Sequence, residues 1–255
     1  NGNNITALRV KGSFDDCQNM VKKAFVDIEL KNKFNLTSAN SINVARWLPQ
    51  AFYYFYAVKK LKKNNLVFSV PSGNFGNICA GIIAKKLGLP IDHFIASTNV
   101  NDTIPRYFKS QVFNPRPTIQ TISNAMDVSN PSNFIRIQEM FENFETLSSS
   151  LSSYSFDDNQ TLEIVKQIYN DKKYIMDPHG AVGFLGLKKY LTKNSIKTGV
   201  FLETAHPIKF SNSIEKKLNI RLKCPESINK ILNKEKKFTN ISSYDEFKNL
   251  MLNFR

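Results

Sequence analysis

Apolar and polar positions fall into blocks whose period changes along the chain. LVFSV (Leu66–Val70) is a continuous apolar run, the pattern of a strand covered on both faces of a parallel sheet. PSGNFGN follows, and apolar residues then recur at helical spacing from about Asn77 to Leu87, with Gly88 placed to end the helix. HFIAST (His93–Thr98) predicts the next strand, so strand, helix and strand make one right-handed crossover unit. Upstream, ITALRVK (Ile5–Lys11) has strand character, and Ser13 with Asp16 predicts a capped helix running through Phe25. SANS (Ser38–Ser41) supplies a second cap. The segment behind it, INVARWLPQAFYYFYAVKKL, is apolar on nearly every face, as in a buried helix, and Pro49 is expected to kink or split it.

Beyond Thr98 the periodicity weakens. Residues 99–132 are rich in Asn, Pro, Ser and Thr and read as a long binding loop. FIRIQEMFENF (Phe134–Phe144) predicts a helix, and SSSLSSYS (Ser148–Ser155) a surface linker. Asp177 followed by Pro178 marks a helix start. TGVFLET (Thr198–Thr204) predicts another buried strand, Ala205-His206-Pro207 a turn into a helix, and YDEFKNLMLNFR a helical end. Strands alternating with helices predict an α/β architecture around a parallel sheet.

Composition adds limits. With 255 residues, 42% hydrophobic and 22% charged, the chain has the make-up of one large or two modest globular domains. No apolar run is long enough to span a bilayer, and NGNNITALRV lacks the basic and apolar regions of a signal peptide. Cys17, Cys79 and Cys224 lie far apart with no CxxC, a set that reads as free thiols in a reducing cytoplasm. Neither these nor the three histidines show metal-ligand spacing. The net charge of +14 raises nucleic-acid binding. However, Lys is spread along the chain, and the densest runs, KKLKKNN (Lys59–Asn65) and NKEKKF (Asn233–Phe238), are not interleaved with stacking aromatics.

The candidate chemistry lies between the first buried strand and its helix. The first turn of a helix leaves amide N–H groups without partners, and its dipole favours an anion there. Gly73 and Gly76 are expected to take positive φ and let the backbone close round one phosphate, with Asn74 and Asn77 donating to it or bracing the turn. The loop is neither GxxxxGK[ST] nor GxGxxG, so it carries no built-in lysine for a nucleotide's phosphates. A cradle of this kind suits one terminal phosphate, such as that of pyridoxal 5'-phosphate; the plain alternative is an ordinary strand-to-helix turn.

SGNFGN after an apolar strand resembles the phosphate loop of fold-type II pyridoxal-phosphate enzymes. The ordered set GSFDDCQNMVKKAF, SANSINVARWLPQ, VPSGNFGN, TNVNDTIPRYF, SNAMDVSNPSN, DPHGAVG and ETAHPIKF is similar to the bacterial and fungal branch of the threonine synthase family. The resemblance runs over nearly the whole chain. It implies a tryptophan synthase β-like fold, with residues 1–39 ending a smaller α/β domain and 40–255 forming most of the large coenzyme-binding domain with its C-terminal helices. It implies the conversion of O-phospho-L-homoserine and water to L-threonine and phosphate, by a monomer or homodimer with no nucleic-acid or membrane partner.

The same resemblance assigns residues. Ser72, Gly73, Asn74, Phe75, Gly76 and Asn77 match the phosphate loop, and Thr204 matches the position facing the pyridine nitrogen. Ser41, Asn43 and Arg46 are candidates for the substrate phosphate, although Ser41 can equally be a helix cap. Asn101, Asp102 and Thr103 shape the site or merely turn the chain. His179 and His206 could act as bases but read better as structural. The family's covalent lysine sits early, in Phe-Lys-Asp, which this sequence lacks, as it lacks the family's early Ser-Gly loop. No catalytic residue is therefore assigned. With no Met at its start, the chain is expected to be the C-terminal part of such an enzyme, inactive alone. Another fold-type II lyase (a serine or threonine dehydratase, or a cysteine synthase) and a basic nucleic-acid-binding protein remain the alternatives.

Overall fold

In the computed structural model, which describes residues 4–195, 197–232 and 234–254, the chain leaves its first unit at Ser38 and returns to it at Lys223. That unit begins with β1 (Leu8–Val10), α1 (Phe14–Val26) and α2 (Ile28–Lys33). The second unit, Ala39–Leu222, holds a 3-10 turn (Val44–Arg46), α3 (Trp47–Leu61), β2 (Leu66–Pro71), α4 (Gly76–Lys86) and β3 (Ile91–Thr98). It continues with α5 (Thr103–Ser110), α6 (Phe134–Glu139), α7 (Phe144–Ser150), β4 (Leu151–Ser155) and α8 (Asp158–Lys172). α9 (Pro178–Leu191), β5 (Thr198–Phe201) and α10 (Ser211–Leu218) end it. α11 (Glu226–Leu232), β6 (Thr239–Ile241) and α12 (Tyr244–Leu252) then complete the first unit.

The first unit is joined by pairing between distant parts of the chain. β1 and β6 run parallel, Leu8 opposite Thr239 and Val10 opposite Ile241. α1 starts with the predicted capping box: Asp16 N–H donates to Ser13 Oγ at 3.3 Å, and Ser13 N–H to Asp16 Oδ2 at 2.7 Å. α12 is tied down by Tyr244, whose hydroxyl donates to Asp27 Oδ2 at 2.9 Å, and by Lys248, 2.9 Å from both Asp27 and Glu29. The expected division at 39/40, with everything after it in one domain, is thus corrected at the far end. Residues 223 onward belong with 1–38 because the strand partner of β1 lies there.

The second unit is a four-stranded parallel sheet in the order β4-β3-β2-β5. Alternate residues of its central strands face opposite layers. Phe68 and Phe94 pack with Tyr54 of α3, at ring distances of 5.1 and 6.0 Å from it. Val67 and Ile95 pack on Leu187 of α9. α9 comes unusually close to the sheet. Ser69 Oγ donates to the Gly183 carbonyl at 2.6 Å, and a Cβ on Gly186 would stand 1.9 Å from Ser97 Oγ. Both faces are therefore covered, as the continuous apolar strands predict.

Several local expectations change. Ser148–Ser155 is no linker: Leu151–Ser155 is the edge strand β4, its Ser153 hydroxyl donating to the Ala96 carbonyl at 2.9 Å. β5 stops at Phe201 and is only half-buried, because it is the opposite edge. The helix predicted over Phe134–Phe144 ends at Glu139, and Asn143 caps a new one, α7, through Thr146. The apolar segment after SANS is split ahead of Pro49. α3 starts at Trp47, so the proline occupies the first turn, where a missing N–H costs no helical bond. The stretch 99–132 contains α5 and a 3-10 turn, Asn124–Met126.

Candidate functional site

Parallel β2 and β5 end at the same edge of the sheet, and the SGNFGN loop leaves β2 there to enter α4. Ser72 closes the strand, its N–H donating to the Ser97 carbonyl and its hydroxyl to the Val70 carbonyl, each at 2.8 Å. Among the described residues, the next five amides, Gly73 to Asn77, donate to no protein acceptor; pairing resumes at Ile78 and Cys79. Five successive N–H groups without a protein acceptor at the start of an 11-residue helix are donors available to an anion. A phosphate monoester suits them: α4's dipole favours the charge, and one group can accept from several amides.

Positive φ falls on a different residue from those predicted. Phe75 adopts φ 63°, ψ 9°, whereas Gly73 and Gly76 do not have positive φ. Phe75 is held in this left-handed conformation by burial: its ring is 2% exposed and meets Phe134 edge-on at 6.0 Å. The glycines serve close approach instead. A Cβ on Gly73 would lie 2.8 Å from the Ala125 carbonyl oxygen and 2.9 Å from Met126 Cα. One on Gly76 would lie 2.6 Å from Ser41 Cβ.

Asn74 and Asn77 brace the loop. Asn74 Nδ2 donates to Ser41 Oγ at 2.9 Å, and its Oδ1 accepts from the Ser132 N–H at 2.7 Å. Asn77 Nδ2 donates to the Pro71 carbonyl at 2.8 Å, and Tyr54 OH donates to the Asn77 carbonyl, also at 2.8 Å. Of the three substrate candidates, the structure brings Ser41 against the loop. Asn43 is a cap, its Oδ1 accepting from the Ala45 N–H at 3.0 Å, and Arg46 is exposed at the end of the 3-10 turn and, among the described residues, makes no hydrogen bond to the loop. Thr204 lies beyond β5 rather than on it and is exposed. Asn101 fastens the long connection, donating to the Ile119 carbonyl and accepting from its N–H; Thr103 donates to the Ser129 carbonyl and Asp102 pairs with Arg106. His206 caps a turn by accepting from the Ile208 N–H.

Sequence reasoning passed over Asn133 and Arg136. Buried Asn133 donates to the Asn74 carbonyl at 2.8 Å. Arg136 donates to Asn133 Oδ1 and to the Ile42 carbonyl, each at 2.9 Å, tying the two segments that flank the loop. Their only local signal was the SNPSN stretch beside an arginine. A second polar cluster surrounds α9. His179 hydrogen-bonds Asp177 through Nδ1 at 2.7 Å and accepts from the Ala125 N–H through Nε2 at 3.2 Å. The Glu203 carboxyl lies against Asp177. Partial loss of solvent around that carboxyl, together with a hydrogen bond to Asp177 and the charge beside it, raises the Glu203 pKa and lowers that of Asp177, although Glu203 as a residue is exposed, so the shared proton favours Glu203.

Comparison with known proteins places this geometry in a family. The family described as Pyridoxal-phosphate dependent enzyme matches residues 2–204, and the one described as Threonine synthase, C-terminal, matches 180–251. Threonine synthase of Haemophilus influenzae is 48% identical over 232 residues, covering 90% of this chain and 54% of that protein. The crystal structure of Escherichia coli threonine synthase superposes with a TM-score of 0.93 at 41% identity, over 99% of this chain and 59% of that one. The pyridoxal-phosphate-bound threonine synthase of Brucella melitensis superposes at 0.83 with 30% identity, over 97% and 59%. The chain spans about half the length of the curated relatives it matches. No helix among the described residues is long and apolar enough to cross a membrane. On the match over residues 2–204, the chain belongs to the pyridoxal-phosphate dependent enzyme family, on its threonine synthase branch.

Proposed function

We propose that this chain supplies the coenzyme-phosphate site of a threonine synthase, a lyase that turns O-phospho-L-homoserine and water into L-threonine and phosphate. The five unpaired amides from Gly73 to Asn77 carry the reading, since unpaired donors at a helix start are what a phosphate would need from the loop that resembles the family's phosphate loop. Bound pyridoxal phosphate supplies an electron sink that acidifies the hydrogens of the amino acid joined to it. The amides would hold its phosphate, while Ser72 closes the strand end and Asn74 and Asn77 hold the amides in place. Phe75 seals the loop's inner face. Thr204, matched by resemblance, would offer a neutral hydroxyl to the pyridine nitrogen, a weaker demand on that nitrogen than a carboxylate would make. Ser41, fixed by Asn74, is the substrate-phosphate candidate best supported by position; Asn43 and Arg46 are supported only by resemblance. The covalent lysine is expected in the part of the relatives that this chain does not match, so the chain alone should release no phosphate.

The test is a chimaera in which this chain replaces the matching part of the Haemophilus influenzae relative. Phosphate release from O-phospho-L-homoserine, with L-threonine as the co-product, supports the reading. A folded, coenzyme-loaded chimaera that deaminates serine or threonine instead would assign the chain to a dehydratase, and one with neither activity would refute it.

A further inference from the structure

The cradle's wall is not self-supporting. The Ala125 carbonyl comes within 2.8 Å of the point where a Gly73 Cβ would stand, so the Asn124–Met126 turn sets how the first amides of the loop lie. That turn is gripped from behind. The Ala125 N–H donates to Nε2 of His179, a residue 3% exposed on the first turn of α9. A nitrogen that accepts here is bare, so the imidazole proton sits on Nδ1, where Asp177 Oδ1 accepts it at 2.7 Å. Asp177 is fully buried and caps α9: its Oδ1 also takes the His179 N–H at 2.8 Å, and its Oδ2 takes the Gly180 N–H at 3.4 Å. Phe210 closes the other side of the ring at 4.9 Å. The order is carboxylate, imidazole, amide, with each donor facing one acceptor.

We infer that His179 is a positioning residue for the phosphate cradle: oriented by Asp177, it holds the Ala125 peptide, and through it the Gly73 amide, where a phosphate can be gripped. The inference rests on the reading of the loop as a phosphate site. It assigns the DPHGAVG stretch a task other than proton transfer, because Nε2 already accepts a backbone N–H.

Two side chains separate the roles. A glutamine amide reaches the place of Nε2 and can accept from Ala125; an asparagine amide reaches only the place of Nδ1. In the full chain, His179→Gln should bind pyridoxal 5'-phosphate and inorganic phosphate within about threefold of the parent, and His179→Asn about tenfold more weakly. Nitrogen-15 spectra of the parent imidazole should show Nδ1 protonated and Nε2 bare, a readout independent of whether any variant folds. The inference is overturned by an Nε2-protonated or doubly protonated ring, or by a folded His179→Asn chain that binds both probes like the parent. If the parent binds neither probe while its imidazole shows the expected tautomer, the phosphate-site reading falls first and takes this one with it.

Discussion

Replacing Gly73 with alanine probes the cradle most directly. The added Cβ would stand 2.8 Å from the Ala125 carbonyl oxygen, 2.9 Å from Met126 Cα and 3.5 Å from Val128 Cγ2. The first two atoms are backbone, so no rotamer change relieves them. The turn that carries them is anchored by His179 and by Asp127, whose Oδ2 accepts from the Thr121 N–H at 3.0 Å. The loop must therefore yield by roughly half an ångström to restore ordinary contact, and the amides move with it. Overpacking of this kind costs about 1–3 kcal/mol. Expressed in the bound state, that is roughly a fivefold to hundredfold loss of affinity. Calorimetric titration of the full chain with pyridoxal 5'-phosphate and with inorganic phosphate reads the binding, and urea denaturation reads the fold. Gly88→Ala is the matched control. It has no atom within 4 Å but a φ of +100°, so it should lose about 1 kcal/mol of stability with binding unchanged. A folded Gly73→Ala chain with parental affinity for both probes would refute the reasoning.

Other substitutions test the frame around the cradle. Phe75→Gly relieves about 1 kcal/mol of left-handed strain but empties a buried aromatic site worth about 3–5, so denaturation should show a net loss of about 2–4 kcal/mol. Asn133→Ala strips the Asn74 carbonyl and Arg136 of a buried partner and should cost about 1–3 kcal/mol by the same assay. Gly186→Ala drives a methyl into Ser97 Oγ and should cost about 1–3 kcal/mol, part of which Ser97→Ala restores in a double-mutant cycle. Partial loss of solvent and the proximity of Asp177 hold Glu203 above its ordinary 4.5, so the folded state binds an extra proton above that value, and this contribution falls as pH rises through the titration of the pair. Urea midpoints at pH 6 and pH 9 should therefore converge in Glu203→Gln; an unchanged difference would remove Glu203 from the titration.

The sequence by itself determined the α/β alternation, the buried central strands β2 and β3, the capping box of α1, the start of α9 and the SGNFGN loop at a strand-to-helix junction. Each is written within about a dozen residues, where period, cap and turn chemistry act locally. Only the tertiary structure decided the remainder. The Ser-rich β4 looks like a linker until β3 offers it a ladder, and β6 joins the first unit because β1 is waiting at the other end of the chain. The positive φ rests on Phe75 because a buried aromatic neighbour outweighs the local preference for glycine. Asn133, Arg136 and His179 act on the loop from more than fifty residues away. No local pattern carries such a contact: it exists only once the sheet has brought the ends of its strands to one edge and the segments beyond them have packed together.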